Sequence, residues 1–99
     1  MGKLSFDPAT GAVSVGGEQI GVAPRERSVL ELLLRNAGRV VPKEQIETAL
    51  SELGDEISTN AVELAVSRLR RRLAGFDLDV ALETIRGIGY LLREDRPVA

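Results

Sequence analysis

The sequence predicts an α+β domain, and three observations carry that reading. Short alternating runs broken by turn residues fill the first 23 residues, three segments of helical period follow, and two strand-like runs close around a Gly-x-Gly near the C-terminus. With 99 residues the chain has surface enough to close one core and no second, so residues 1–99 read as a single domain.

The opening runs Lys3-Leu4-Ser5-Phe6, Ala12-Val13-Ser14-Val15 and Glu18-Gln19-Ile20-Gly21-Val22 are separated by Asp7-Pro8-Ala9-Thr10-Gly11 and Gly16-Gly17. They predict a small antiparallel meander. Pro24 stands at a first helical position, and Val29, Leu30, Leu33 and Leu34 recur at helical spacing until Asn36-Ala37-Gly38 closes helix one. Arg39-Val40-Val41 reads as an extended link. Pro42 opens a second helix with apolar positions Ile46, Ala49, Leu50 and Leu53, stopping at Gly54. Ser58, Thr59 and Asn60 are N-cap residues by type, and Val62, Val66, Leu69 and Leu73 mark a third helix, about 58–74, of about four turns. Finally Leu82-Glu83-Thr84-Ile85-Arg86 and Tyr90-Leu91-Leu92-Arg93 flank Gly87-Ile88-Gly89, a hairpin over about 82–93. Residues 94–99 read as a frayed tail. Sheet, three helices and a glycine-turned ribbon together make the layout of a winged helix-turn-helix, in which helix three can enter a major groove and the hairpin can flank it.

Composition narrows the chemistry. Hydrophobic residues are 43 % and charged residues 28 %, a globular balance rather than a disordered one. The chain has no Cys and no His, which removes disulfides, thiol nucleophiles, the usual zinc sites and histidine acid/base chemistry. Asp77, Asp79 and Glu83 are the one carboxylate cluster, in a polar loop without a Gly-rich phosphate motif, so no catalytic residue, metal or cofactor is expected. No apolar run approaches the roughly 18 residues of a membrane span, and the N-terminus lacks a secretory apolar core. A soluble cytoplasmic protein with no membrane partner is expected.

Thirteen basic and fifteen acidic residues give a net charge of −2, so any nucleic-acid affinity must be local. Residues 1–57 carry −3 and residues 58–99 carry +1. Between Ser58 and Gly75, Arg68, Arg70, Arg71 and Arg72 oppose only Glu63, for a local +3. At about 100° per residue, Val62, Val66, Leu69 and Leu73 form one buried stripe. Opposite it fall Asn60, Leu64, Ser67, Arg68 and Arg71, with Ala61 at the margin. Cationic, hydrogen-bonding and apolar groups on one face suit a major groove, where a guanidinium bridges guanine N7 and O6 and an apolar group meets a thymine methyl. A solvated helix with arginines favoured by the C-terminal dipole is the other reading of that cluster. Arg70 and Arg72 point sideways, toward phosphates rather than bases. Arg86 beside the thin Gly87-Ile88-Gly89 tip is placed as an arm reaching for a narrow minor groove, an ordinary strand-end charge being the other reading of the same residue. No helix follows that tip, so it is not a nucleotide loop. Tyr90 packs on the core behind the hairpin.

With those residues in hand, the chain resembles the C-terminal DNA-binding domain of OmpR/PhoB-type two-component response regulators. Three blocks carry the resemblance: Pro24-Arg25-Glu26 through Val40-Val41, Asn60-Ala61-Val62-Glu63 through Arg72-Leu73, and Glu83-Thr84-Ile85-Arg86-Gly87-Ile88-Gly89-Tyr90. The resemblance implies a four-stranded N-terminal sheet ahead of three helices and a C-terminal hairpin wing. It implies that Arg68 and Arg70 meet bases and phosphates, that Arg71 extends the same basic turn, and that Asn60, Ala61, Leu64 and Ser67 face the groove. Thr84 falls on a phosphate-contacting wing position and Arg86 on the minor-groove arginine, next to Gly87. The acidic connection Ser51, Glu52, Leu53, Gly54, Asp55, Glu56 and Ile57 corresponds to the loop that touches the sigma or alpha subunit of RNA polymerase in activators. The implied partners are double-stranded DNA bearing direct repeats, occupied by a tandem dimer, and an N-terminal receiver domain that 99 residues have no room for. The chain therefore reads as an excised effector domain with Met1-Gly2 as an added start, nucleoid-associated when bound to DNA, a natural stand-alone domain being the alternative.

Several positions depart from the family pattern. Ala23 stands where a capping Thr is common, and Pro42 where a capping Ser is usual. Ala49-Leu50-Ser51 lacks the aromatic found at the end of helix two, and Ala65 or its neighbour replaces a histidine of helix three. Sequence preference is expected to differ accordingly. The alternative function is a winged-helix protein–protein interaction module without DNA binding, since a fold hosts many functions.

Overall fold

In the computed structural model, residues 1–54, 58–76 and 78–95 are described. The first three strands, β1 (Leu4–Phe6), β2 (Val13–Val15) and β3 (Glu18–Ile20), form an antiparallel sheet in that order, with Leu4 opposite Val15 and Val13 opposite Ile20. Asp7 builds the first turn: its Oδ1 accepts from the Ala9 amide at 2.9 Å and its carbonyl from the Gly11 amide at 2.7 Å. Leu4 and Val13 point into the core, which fixes the register, because a one-residue slip would expose both. The sheet has three strands where the resemblance implied four. After Ile20 only three residues remain before Pro24 starts a helix, and they pair with no strand.

Helix α1 (Pro24–Arg35) buries Val29, Leu30 and Leu33. Helix α2 (Lys43–Ser51) buries Ile46 and Leu50. Helix α3 (Thr59–Ala74) runs 16 residues and buries Val62, Ala65, Val66, Leu69 and Leu73. These stripes meet one another, and each fully buried side chain of this size contributes about 1.5–3 kcal/mol. Helix α2 ends earlier than expected. Glu52, Leu53 and Gly54 form a turn, with the Leu53 amide on the Leu50 carbonyl at 3.1 Å, and Leu53 is 43 % exposed rather than a core residue. The turn rotates Leu53 off the stripe that its spacing from Leu50 suggested.

The second sheet joins distant parts of the chain. Strands β5 (Val80–Ile85) and β6 (Gly89–Glu94) make the hairpin, and β4 (Val41–Pro42) pairs with β6 on its other side, giving the order β4-β6-β5. What read as an extended link at residues 39–41 is therefore partly a strand, tying the α1–α2 connection to the hairpin. The hairpin begins two residues earlier than the sequence suggested. On it, Arg93 Nη2 meets Glu83 Oε1 at 2.6 Å, so the guanidinium is held more firmly protonated and Glu83 belongs to an ion pair rather than to a carboxylate cluster. Asp77 of that cluster lies outside the described residues. Glu94 closes β6 and the Asp95 amide donates to the Asp79 carbonyl at 2.9 Å, so these two positions of the expected tail are held; residues 96–99 lie outside the described residues.

Candidate nucleic-acid interface

Helix α3 starts with a conventional cap: Ser58 Oγ accepts from the Ala61 amide at 3.1 Å, satisfying one of the amides left over at a helix start. With the apolar stripe turned inward, Asn60, Leu64, Ser67, Arg68, Arg70, Arg71 and Arg72 are exposed and Ala61 is half-buried. Leu64 is 41 % exposed amid these polar neighbours. Ala65 is 3 % exposed, so the position considered for the missing histidine faces the core in this chain.

The arginines divide by what engages them. Among the described residues no hydrogen bond or ion pair engages the guanidiniums of Arg68, Arg71, Arg72 or Arg86. Arg68, Arg71 and Arg72 border a hollow shared with Val22, Ala23 and Glu26 at the start of α1. Ala23 offers no side-chain cap there, and Glu26 in the first turn of α1 sets a negative charge beside that helix end and the three arginines. Arg70 is different: its Nε and Nη2 donate to the Leu82 carbonyl at 3.2 and 3.1 Å, and Nη2 also to Thr84 Oγ1 at 3.1 Å. Sequence reasoning placed Arg70 sideways on the helix and had no means of finding the β5 backbone at that place.

The wing tip is shaped by a tight turn. The Ile88 amide donates to the Ile85 carbonyl at 2.9 Å, and Gly87, third residue of that turn, has φ +76°, the geometry of a type II turn, which favours glycine there. Arg86 and Ile88 are thereby held out into solvent, Ile88 at 55 % exposure. The tip is braced from the other side, since the Lys43 amide donates to the Ile88 carbonyl at 3.2 Å. Gly89 is not a turn residue; it lies in β6 opposite Pro42, where an added Cβ would run into the Val41 carbonyl. Behind the wing Tyr90 is 3 % exposed. Burial pushes its phenol above the ordinary value of 10.0, the Glu63 carboxylate adds to the rise and Arg70 opposes it.

Of the acidic connection, Ser51 belongs to α2, Glu52, Leu53 and Gly54 form its exposed turn, and Asp55, Glu56 and Ile57 lie outside the described residues. Among the described residues no acidic cluster is arranged to hold a metal, and no helix is long and apolar enough to cross a membrane.

An outward basic face on the third of three helices, flanked by a hairpin with an arginine at its tip, is a DNA-reading geometry. Residues 17–92 match the family model described as transcriptional regulatory protein, C terminal. The chain belongs to this OmpR/PhoB-type family. It is 38 % identical over 96 residues to the response regulator protein PmrA of Pseudomonas aeruginosa, a match covering 97 % of this chain and 42 % of PmrA. The DNA-binding domain of RstA from Klebsiella pneumoniae, solved in complex with the RstA box, is 28 % identical with a TM-score of 0.70, covering 93 % of this chain and 92 % of that one. DrrB, an OmpR/PhoB homologue of Thermotoga maritima, is 26 % identical with a TM-score of 0.73, over 94 % of this chain and 42 % of DrrB. This OmpR/PhoB-type chain spans about two fifths of the length of the curated relatives it matches. Its family is one of transcriptional regulators rather than an enzyme class.

Proposed function

We propose that this chain is the DNA-reading part of a two-component transcriptional regulator, with α3 in a major groove and the β5–β6 wing in the adjoining minor groove. The observation that carries the reading is a set of guanidiniums on two adjoining elements with no hydrogen bond or ion pair among the described residues: Arg68 and Arg71 on the outer face of α3, and Arg86 at the wing tip. Arg68 reads guanine, Leu64 meets a thymine methyl, and Asn60, Ala61 and Ser67 complete the base-facing surface. Arg71 and Arg72 neutralise phosphates beside the start of α1. Arg86, carried by Gly87, enters a narrow A·T-rich minor groove. A relative solved on its own DNA box supports the reading.

In the longer protein the partner on the N-terminal side is a receiver domain, and the turn from Ser51 to Gly54 with the residues after it meets RNA polymerase through its sigma or alpha subunit. Two copies occupy direct repeats in tandem. The protein works in the cytoplasm, on the nucleoid, and carries no catalytic activity or cofactor.

The test is selection of bound duplexes from a random library at moderate salt, followed by affinity against salt for the winner and a scrambled control. An enriched motif, repeated at about one helical turn, with a steep salt slope is expected. Weak, flat binding to both duplexes would overturn the reading in favour of a protein-interaction module.

A further inference from the structure

We infer that Arg70 is a positioning residue that fixes the wing against α3, and that the Arg70 side chain is not one of the phosphate contacts; the inference rests on the DNA-reading function proposed above. Strand β5 is the edge of its sheet, so the carbonyls on its outer side have no strand to pair with. Arg70 supplies the missing donors for one of them. Its Nε and Nη2 both donate to Leu82 O, at 3.2 and 3.1 Å, and Nη2 reaches Thr84 Oγ1 at 3.1 Å. Leu82 and Thr84 lie two apart on β5, on the same side of the strand, so the planar guanidinium grips a short stretch of it rather than one point. The contacts span 12 and 14 residues of sequence and join two elements that touch different grooves in the proposed complex.

Two consequences follow from the chemistry. Three of the five guanidinium N–H donors are turned onto β5 rather than to solvent, while Thr84, which accepts from Nη2, keeps its own O–H. The wing, in turn, has a fixed offset from α3, and the distance between the guanine read by Arg68 and the minor groove entered by Arg86 is set before DNA arrives. A lysine cannot replace this grip, because an ammonium is a point charge without the fork.

The experiment uses the 99-residue chain and has two parts. In the free protein, amide hydrogen exchange over Val80–Ile85 is compared for wild type, Arg70→Ala, Arg70→Lys and Thr84→Val. Exchange about tenfold faster in Arg70→Ala, unrescued by lysine and intermediate in Thr84→Val, is expected; unchanged exchange overturns the inference whatever the DNA result. On the selected duplex, affinity is measured against salt for wild type, Arg70→Ala, Arg86→Ala and the double variant. Arg70→Ala is expected to lose about tenfold in affinity with an unchanged salt slope, and to lose little further in the Arg86→Ala background, where the wing no longer contributes. A slope lower by about one, with losses that multiply in the double variant, would make Arg70 a phosphate contact and overturn the positioning role. If wild type itself binds no duplex selectively, the DNA reading has failed, and the exchange measurement alone still decides the grip.

Discussion

Gly89 backs directly onto the Val41 carbonyl: a side chain added there would collide with that carbonyl and lie 2.9 Å from the Pro42 Cα. The second glycine of Gly87-Ile88-Gly89 thus serves the β4–β6 contact and the first serves the turn. Gly89→Ala should destabilise the chain by about 3 kcal/mol, the upper end of overpacking costs, because the obstacle is backbone that cannot rotate away. Gly87→Ala meets nothing within 4 Å and carries only the left-handed backbone penalty, about 1–2 kcal/mol. Denaturant unfolding of both variants distinguishes the roles, and equal losses would refute the assignment.

The helix starts are unequal in the same checkable way. Ser58 caps α3 through its hydroxyl, whereas Ala23 holds cap-like backbone angles, φ −62° and ψ 152°, ahead of α1 without a side chain to use them. Ser58→Ala should cost, and Ala23→Ser should gain, about 0.5–2 kcal/mol each. Their effects should add, since the two caps share no partner. A loss of stability in Ala23→Ser would show that something other than capping selects alanine.

The helices and the wing were legible because each rests on a period or a turn signal that the chain states locally. Val62, Val66, Leu69 and Leu73 lie within one stripe of a single helix, and all four are buried. The errors arose where the period outlasts the backbone or is too short to exist. Leu53 keeps helical spacing from Leu50, yet the helix has ended at Ser51 and the side chain is exposed. Val41–Pro42 is two residues long, and two residues have no alternation to detect; its pairing depends on Gly89, almost fifty positions later. Arg70 is the same kind of case within the site. Its angle on α3 was readable, but the β5 carbonyl that meets it is a tertiary fact.

Tyr90 gives a prediction at alkaline pH. Its folded-state pKa lies above 10.0, chiefly through burial, while in the unfolded chain it returns to about that value. The group therefore favours folding fully below pH 10 and loses that contribution as pH rises through the folded-state value. Because Tyr90 is the chain's one tyrosine and there is no tryptophan, its phenolate absorbance reports this site alone. The native chain should titrate later than the unfolded chain, and Tyr90→Phe should flatten the fall in stability above pH 10. Coincident titrations in native and denatured protein would contradict the burial argument.

Arg68 and Arg86 should separate when the DNA, rather than the protein, is varied. A guanidinium placed on guanine N7 and O6 loses its partner when that one base pair changes, so Arg68→Ala should cost about 1–3 kcal/mol on the selected site and relax preference at a single position. In the proposed complex Arg86 faces a groove whose bases look nearly alike, and what it would sense there is width and potential. Its loss should therefore be largest on sites with a narrow A·T-rich minor groove beside the α3 contact and small on G·C-rich flanks, with no single base pair accounting for the difference. Affinities of both variants across duplexes altered first in the core and then in the flank provide the comparison. If Arg68→Ala weakened cognate and random DNA equally, base readout by α3 would be lost from the scheme; if Arg86→Ala ignored the flank, the wing would be holding the duplex without sensing its shape.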